Sequence, residues 1–463
     1  MGIGKIFDIS VRTMATYQRA LDVTSQNVSN AGNEEYTRQK VVFGTEETQA
    51  GIGMGVKIQD VVRVKNDLID KQIYQYQSTY SDANKRSELL QQVETILAEP
   101  GDYGLSNYFN QFFNSWSQLA TNPTSIQYRT QIIQNAQRLS ERFKDVYDSI
   151  SSLQHLLKNE TVSKVDQMNS YLKEIYDLNR KIYDNEAVGI KASELMDRRD
   201  LLLNELSKLA NITISNNEYG TVTVSVGGVL AADRNVYTEF TVKLDGGKLK
   251  VVPKADENST VVLNNGELFA LTELYSKQIP KYKSDLENLA NVFIDKVNEL
   301  HRQGYTLVQS GSSSTDIPFF GTLSGGSVVD AFVDGKININ PAILNNPKNI
   351  AASGVADNDG NSDYAVNIAA LADTKFSELG DQTILEAYST ILNNFGLEKV
   401  QSDNRIQTSE MVLQQLNLQK SSYSGVSIDE EMTNVIKYQR SYEAAARLIR
   451  AADEMLETII QMV

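Results

Sequence analysis

Apolar side chains recur at seven-residue intervals at both ends of this chain and lose that rhythm in the middle. Between Ile3 and Ser29, Phe7, Met14, Leu21 and Val28 fall seven apart, with Ile3, Val11 and Tyr17 near the intermediate positions. From Ile428 onward, Val435, Tyr442, Ile449, Leu456 and Val463 keep the same interval, and Ala445, Ala452 and Ile459 fill a second track. A narrow stripe at this spacing lets a helix pair along a coiled-coil seam, but it is too thin to bury a helix on all sides. The two ends are therefore expected to pair with each other. Because nucleating a lone helix is costly, the pair is expected to gain lasting order only, or mainly, where neighbouring molecules cover it; the alternative is that both stripes are core of a stable helical bundle.

The punctuation agrees with two long terminal helices. Prolines stand at 100, 123, 253, 280, 318, 341 and 347 and nowhere outside that span, so no helix interior near either end is broken. Asn30-Ala31-Gly32-Asn33 predicts the first helix's stop, with glycine supplying a left-handed residue. Ser427-Ile428-Asp429-Glu430 predicts a capping box, and Asp429, Glu430 and Glu431 lie where the helix dipole favours negative charge.

Between the ends the pattern is layered. Short alternating runs around Tyr36–Arg63, such as Val41-Val42-Phe43 and Val56-Lys57-Ile58, predict a hairpin. Ile132, Ala136, Leu139, Phe143, Val146, Ile150, Leu153 and Leu157 keep four-three spacing; the phase slips near Asn159 and resumes at Val165, Met168, Leu172 and Ile175. Residues 211–263 change character: Val222, Val224 and Val226 alternate, and Phe240, Val242 and Leu244 face Leu249 and Val251 across Asp245-Gly246-Gly247. Helix returns over 266–301, with Leu286, Leu289, Phe293 and Val297 on one face. Loops and short strands fill 303–363. Ile384, Tyr388, Ile391, Phe395, Ile406, Leu413 and Leu416 mark a last helical stretch. The expected fold is mainly α with a small inserted β domain, nested as 1–34 with 425–463 for the terminal coiled coil, 35–210 with 264–424 for a helical body, and 211–263 for the β module.

The inventory for chemistry is thin. With no cysteine, disulfides, thiolate nucleophiles and zinc–thiolate sites are excluded. A formal net charge of −15 repels phosphate backbones and anionic membrane surfaces. The N-terminus has no apolar signal core, and no apolar run is long enough to span a bilayer. His155 lies off the apolar stripe as a solvated helix residue, and His301 ends a helix whose C-terminus it can serve. Gly51-Ile52-Gly53-Met54-Gly55 reads as a hairpin turn; as a phosphate loop it fails the glycine spacing at Val56. Trp116 with Phe109, Phe112 and Phe113 reads as core, or alternatively as a subunit-contact patch. Asp197-Arg198-Arg199-Asp200 reads as a solvated ion-pair face, which contributes little. No catalytic, cofactor or metal site is expected.

Two blocks carry a resemblance. Leu21-Asp22-Val23-Thr24-Ser25-Gln26-Asn27-Val28-Ser29-Asn30 followed by Tyr36-Thr37-Arg38-Gln39 resembles the N-terminal signature of bacterial flagellar rod, hook and hook-associated proteins. Asn27, Asn30 and Tyr36 match it, while Glu35 stands where the family usually has glycine and Asn33 where it has threonine. At the other end, Ser424–Met432 with Asp429 and Glu430, Ile436–Ala444 with Tyr438 and Gln439, and Ala451–Leu456 form a denser match, closest to the hook-associated members. Asp316-Ile317-Pro318-Phe319-Phe320-Gly321 also resembles an aromatic segment of that group. The resemblance implies an axial structural subunit, secreted unfolded without a cleaved signal and assembled into a short helical ring between hook and filament. It implies as partners copies of itself, the hook protein, hook-associated protein 3 and an export chaperone at the C-terminal region. Hook and distal rod proteins of the same family, and a soluble coiled-coil adaptor, are the alternative readings.

Overall fold

A computed structural model of the chain describes residues 3–33, 35–47, 53–97, 101–259 and 261–462. Val463, the Gly51-Ile52 part of the glycine run and the Ile3 side chain lie outside the described residues. Helix α1 (Ile3–Ser29) leads into an antiparallel hairpin of β1 (Gln39–Glu47) and β2 (Gly53–Arg63). Four helices follow: α2 (Asp67–Leu97), α3 (Leu105–Thr121), α4 (Ile126–Glu186) and α5 (Ser193–Leu209). Strands β3 (Ile212–Asn216), β4 (Val222–Val226) and β5 (Val229–Ala232) form one small sheet, and β6 (Phe240–Asp245) with β7 (Lys248–Pro253) form another. Next come α6 (Glu267–Glu273), a π-helical turn over Leu274–Gln278 and α7 (Ile279–Gln303). The ribbons β8 (Thr322–Ser324) with β9 (Ser327–Val329) and β10 (Phe332–Val333) with β11 (Lys336–Ile337) precede the short helices α8 (Pro341–Asn345) and α9 (Asp363–Ala370). Two long helices close the chain, α10 (Ile384–Ser424) and α11 (Ile428–Met462).

α4 is one continuous helix of 61 residues, about 90 Å at 1.5 Å per residue. All twelve apolar residues read from its spacing are buried. The stripe serves two different cores. Leu157 and the residues before it join α3, α7 and the 317–395 segment in an aromatic core. Val165 and those after it join α5 and the β strands in a second core. The phase slip falls between them, where Thr161 is fully buried.

In the aromatic core, Phe109 and Phe112 each meet the Phe293 ring edge-on at 5.2 Å, and Phe319 and Phe320 meet edge to face at 4.8 Å. Trp116 is fully buried there, which decides in favour of core. The β strands do not form a core of their own. Val222, Val224 and Val226 face inward from β4 onto α4 and α5. The β6–β7 turn is the expected one: Asp245 pairs with Lys248 across Gly246 and Gly247, both at positive φ, as the right-handed strand twist requires.

Three local expectations need correction. α1 ends at Ser29, but Gly32 is not left-handed; the Asn30 N–H closes the turn on the Gln26 and Asn27 carbonyls. His301 does not serve its helix terminus. Its ring is buried, with Nδ1 donating to the Ile317 carbonyl at 2.6 Å and Nε2 accepting from the Ala351 N–H at 2.9 Å. Burial pushes this imidazole down to about 4, so it stays neutral and rivets two loops. Asp197 to Asp200 is not a uniformly solvated face: Arg199 is buried and both aspartates are held in ion pairs, while Arg198 alone is exposed. His155 is exposed, as read.

Candidate assembly interface at the paired chain ends

α1 and α11 lie side by side and antiparallel. Asn27 near the end of α1 reaches Glu431 near the start of α11, and Tyr17 one stretch earlier meets Tyr438 one stretch later, ring centres 6.1 Å apart. The hairpin β1–β2 packs on the same pair. Val41, Phe43, Ile58 and Val61 cluster with Ala20, Val23 and Tyr438, and Phe43 lies 5.7 Å from both tyrosine rings.

The residues fully buried along this pair are mostly small or polar: Ser10, Thr16, Ala20, Val23, Thr24 and Asn27 on α1, and Glu431, Ala445 and Ala452 on α11. On α11 these fall on the second seven-residue track, together with half-buried Tyr438. On α1, Ala20 and Asn27 sit one residue before Leu21 and Val28, a rotation of about 100° around the helix. The bulky residues of the stripes therefore flank the closest contact. Met14, Leu21, Val28, Val435, Tyr442 and Ile449 are half-buried. Phe7, Val11, Ile428, Leu456 and Ile459 remain exposed, from 39% for Leu456 to 55% for Ile428, and Met432, Ile436, Leu448, Met455 and Ile460 join them. Small residues at the contact let the helix axes approach, while the large apolar groups stand around it.

A polar knot closes the base of the pair. The Asn27 side chain donates to the Gln39 carbonyl at 2.8 Å and to Glu431 Oε2 at 3.2 Å, and its Oδ1 accepts from the Tyr36 hydroxyl at 2.8 Å and the Gln39 N–H at 3.0 Å. All four hydrogen-bonding capacities of that amide, two donors and two lone pairs, are used, as a buried amide requires. Arg38 grips the other side of the buried Glu431 carboxylate, Nε to Oε1 at 2.8 Å and Nη2 to Oε1 at 2.7 Å, and reaches Glu430 at 3.0 Å. Burial and the carboxylates of Asp197 and Glu431 push the Tyr36 hydroxyl up to about 12, so it remains a donor.

This knot changes the capping expectation. Ser427 Oγ does accept from the Glu430 N–H at 3.4 Å, but the Glu430 carboxylate pairs with Arg38, whose hydrogen bond and charge hold it below its usual range. The reciprocal box forms at α10 instead, between Thr383 and Glu386. Of the remaining motif residues, Asn30 caps back to the Gln26 carbonyl at 2.9 Å, and Asp429 and Gln439 face solvent. Gly425 is required by space, since a Cβ there would sit 2.3 Å from the Ser421 carbonyl oxygen at the break between α10 and α11.

Along the hairpin, the cross-strand partner of Gln39 is Arg63. Arg63 Nη2 reaches Asp197 at 2.5 Å, Asp200 at 2.7 Å and the Thr37 hydroxyl at 3.0 Å. Burial alone would raise the Asp200 carboxyl; Arg63, Arg199 and Lys65 outweigh it and hold the group at about 2. One hairpin base thus ties α11 through Arg38 and α5 through Arg63. Sequence reasoning missed both arginines, although the motif block contains Arg38. Two arginines 25 residues apart on predicted hairpin strands, each with a carboxylate pair elsewhere, were the available signal.

A family model described as flagellar hook-associated protein FlgK helical domain matches residues 90–320, and one described as flagellar basal body rod FlgEFG protein C-terminal matches residues 419–462. Flagellar hook-associated protein 1 of Bacillus subtilis (strain 168) is 30% identical, over 97% of this chain and 96% of its own length. The protein of that name from Salmonella typhimurium is 26% identical, over 96% and 97%. Among solved structures, the flagellar hook junction protein FlgK from Burkholderia pseudomallei shares the fold with a TM-score of 0.63 at 15% identity, covering 76% of this chain and 100% of that one.

Proposed function

The chain belongs to the flagellar hook-associated protein 1 family, and from that premise we propose how its two ends do the family's work. The protein is a structural subunit of the bacterial flagellum at the junction between hook and filament. The observation that carries the mechanism is the inverted terminal pair, small and polar where the helices touch and apolar on the flanks. Neighbouring copies in a helical ring cover those flanks, each large side chain contributing about 1.5–3 kcal/mol when fully buried. Phe7, Val11, Met14, Leu21, Val28, Ile428, Val435, Tyr442, Ile449, Leu456 and Ile459 are the assembly residues. Asn27, Tyr36 and Glu430, with Arg38 and Glu431, hold the pair in the register that presents them.

The finer reading follows from the family. The subunit contacts the hook protein on one side and hook-associated protein 3 on the other, and an export chaperone holds its C-terminal region before assembly. It travels unfolded, without a cleaved signal, to the outside of the cell. Residues 1–34 with 425–463 serve the ring, 35–210 with 264–424 form the body, and 211–263 form the inserted β module. The separate hydrophobic cluster at the ends supports the first division, while the shared second core ties the β module firmly to the body. No catalysis, cofactor, nucleic acid or membrane enters this reading.

The test is genetic. Cells lacking this chain should keep their hooks and shed unpolymerised filament protein. The full chain should restore filaments, and a chain without residues 1–30 should not. Normal filaments on cells without the chain would sink the proposal.

A further inference from the structure

The two apolar cores of the body meet at a layer where the helices that reach it turn polar side chains inward. On α2, Ser78, Ser81, Asp82 and Lys85 are buried; on α4, Thr161; on α6, Thr272; on α10, Ser402. Ion pairs show that these positions share one level. Lys85 meets Glu160 at 2.5 Å, Arg86 meets Asp82 at 2.8 Å and also Glu273, and Arg405 faces Asp82 at 3.5 Å. The belt therefore links α2 to α4, α6 and α10.

Backbone regularity breaks at the same level. In α4 the buried positions 157, 161 and 165 are spaced four and four, where the stripe on either side alternates four and three. Such an inserted step locally unwinds the packing. Opposite, the π-helical turn begins at Leu274, one residue after Glu273. Its Tyr275 carbonyl accepts from the Gln154 side chain at 3.3 Å, and its Ser276 hydroxyl accepts from the Leu249 N–H at 2.9 Å. π turns are rare, and they give a helix a place to shift its register.

In this layer polar side chains replace part of the apolar packing found on either side. Asp82 is fully buried, yet its Oδ2 has no hydrogen bond and looks only to Arg405, whose side chain is half exposed. The Ser78 hydroxyl is likewise without a partner. Partly satisfied polar groups contribute little cohesion across such a plane, whereas the aromatic core and the second core each resist deformation as close-packed units.

We propose that this polar layer is a joint. The two cores change their mutual angle there, α4 bends at its four-four step, and the α6–α7 helix adjusts through its π turn while each core stays rigid. A buried polar layer can instead lock the register of a bundle, and the two roles predict opposite widths of motion.

Because the chain has no cysteine, spin labels can be placed without background. One pair, Leu397→Cys with Val262→Cys, spans the layer; a second, Leu397→Cys with Val366→Cys, lies on the aromatic core. All three positions are exposed. Pulsed electron–electron resonance on the full-length chain should give a distance distribution at least about twice as broad for the spanning pair. Replacing the layer's centre with Asp82→Leu and Arg86→Leu should narrow it to the width of the control. Equal widths in the otherwise unaltered chain would overturn the joint and make the layer a register lock, and that comparison decides even where the double variant does not fold.

Discussion

The aromatic core and the terminal pair are both made by helices packing on helices, yet they hide opposite kinds of side chain. Around Phe293 the buried residues are mostly rings and branched aliphatics, and buried polar groups such as His301 and Asn298 are held by backbone partners. Between α1 and α11 the buried residues are alanine, serine, threonine, asparagine, glutamate and a single valine, and large apolar side chains stand in solvent. A region that hides its large apolar groups has collected its hydrophobic stabilisation already. A region that shows them has that stabilisation still to gain from a neighbour. On the proposed reading, the body folds alone and neighbouring subunits complete the ends.

The largest effect should come from emptying the first region. Phe293→Ala removes a fully buried ring that touches Phe109, Phe112, Phe113 and Phe320, and should lower stability by about 3–5 kcal/mol in urea denaturation. Phe7→Ala, at an exposed position of the other region, should shift the same transition hardly at all. Comparable losses from the two would erase the contrast.

Acid should also strike the body first. The His301 imidazole titrates at about 4 when folded and near 6.5 when exposed, so the unfolded chain takes up the proton first as pH falls. Stability should then drop by about 3 kcal/mol between pH 6.5 and 4, flatten for this group below 4, and lose that slope in His301→Gln. The Asp200 carboxyl works in a lower window. Held at about 2 against an ordinary 3.8, it contributes above that ordinary value and stops contributing as pH falls towards 2. Denaturation at stepped pH separates the two; a flat curve from 6.5 to 4 would mean that the ring is not held neutral.

Within the terminal pair, the strongest single point is Glu431. Glu431→Ala strands Asn27 and Arg38 at the base and should cost about 1.5–3 kcal/mol for the lost charged hydrogen bonds. That loss should appear as faster amide exchange confined to residues 5–30 and 430–460, because regions with few apolar contacts open on their own. In the unaltered monomer these segments should already exchange faster than α4. Strong protection there would show that the pair needs no neighbour.

Much of this was legible from spacing alone. The stripes along α4, the alternation of β4, the Gly246-Gly247 turn and both terminal helices follow from periods that backbone geometry imposes, and tertiary packing had no reason to override them. The phase slip at Asn159 even marked the border between two cores, though its meaning depended on what α2 and α6 place opposite. The seam was legible only as a direction. Seven-residue spacing locates a stripe, but Ala20 and Asn27 win the contact over Leu21 and Val28 because short side chains allow closer axes, and a period does not encode that preference. Arg38 and Arg63 were hidden for another reason. Whether an exposed-looking charge is buried depends on a carboxylate more than a hundred residues away in sequence.

The smallest effect on the monomer should be the most damaging to the assembly. Ile436→Ser with Leu448→Ser changes two exposed positions on α11 and breaks no internal contact that the fold depends on. Each change should move the urea midpoint by no more than the roughly ±0.5 kcal/mol typical of surface substitutions. If neighbours bury those side chains, the same changes remove up to about 1.5–3 kcal/mol each from every subunit contact, multiplied around a ring. The double variant should therefore be secreted and folded, yet fail to restore filaments to cells lacking the chain. Restored filaments would show that these flanks face water in the assembly as well, and the apolar surface of α11 would then need another explanation. A double variant that unfolds as easily as Phe293→Ala would instead place those residues in a core the isolated chain already possesses.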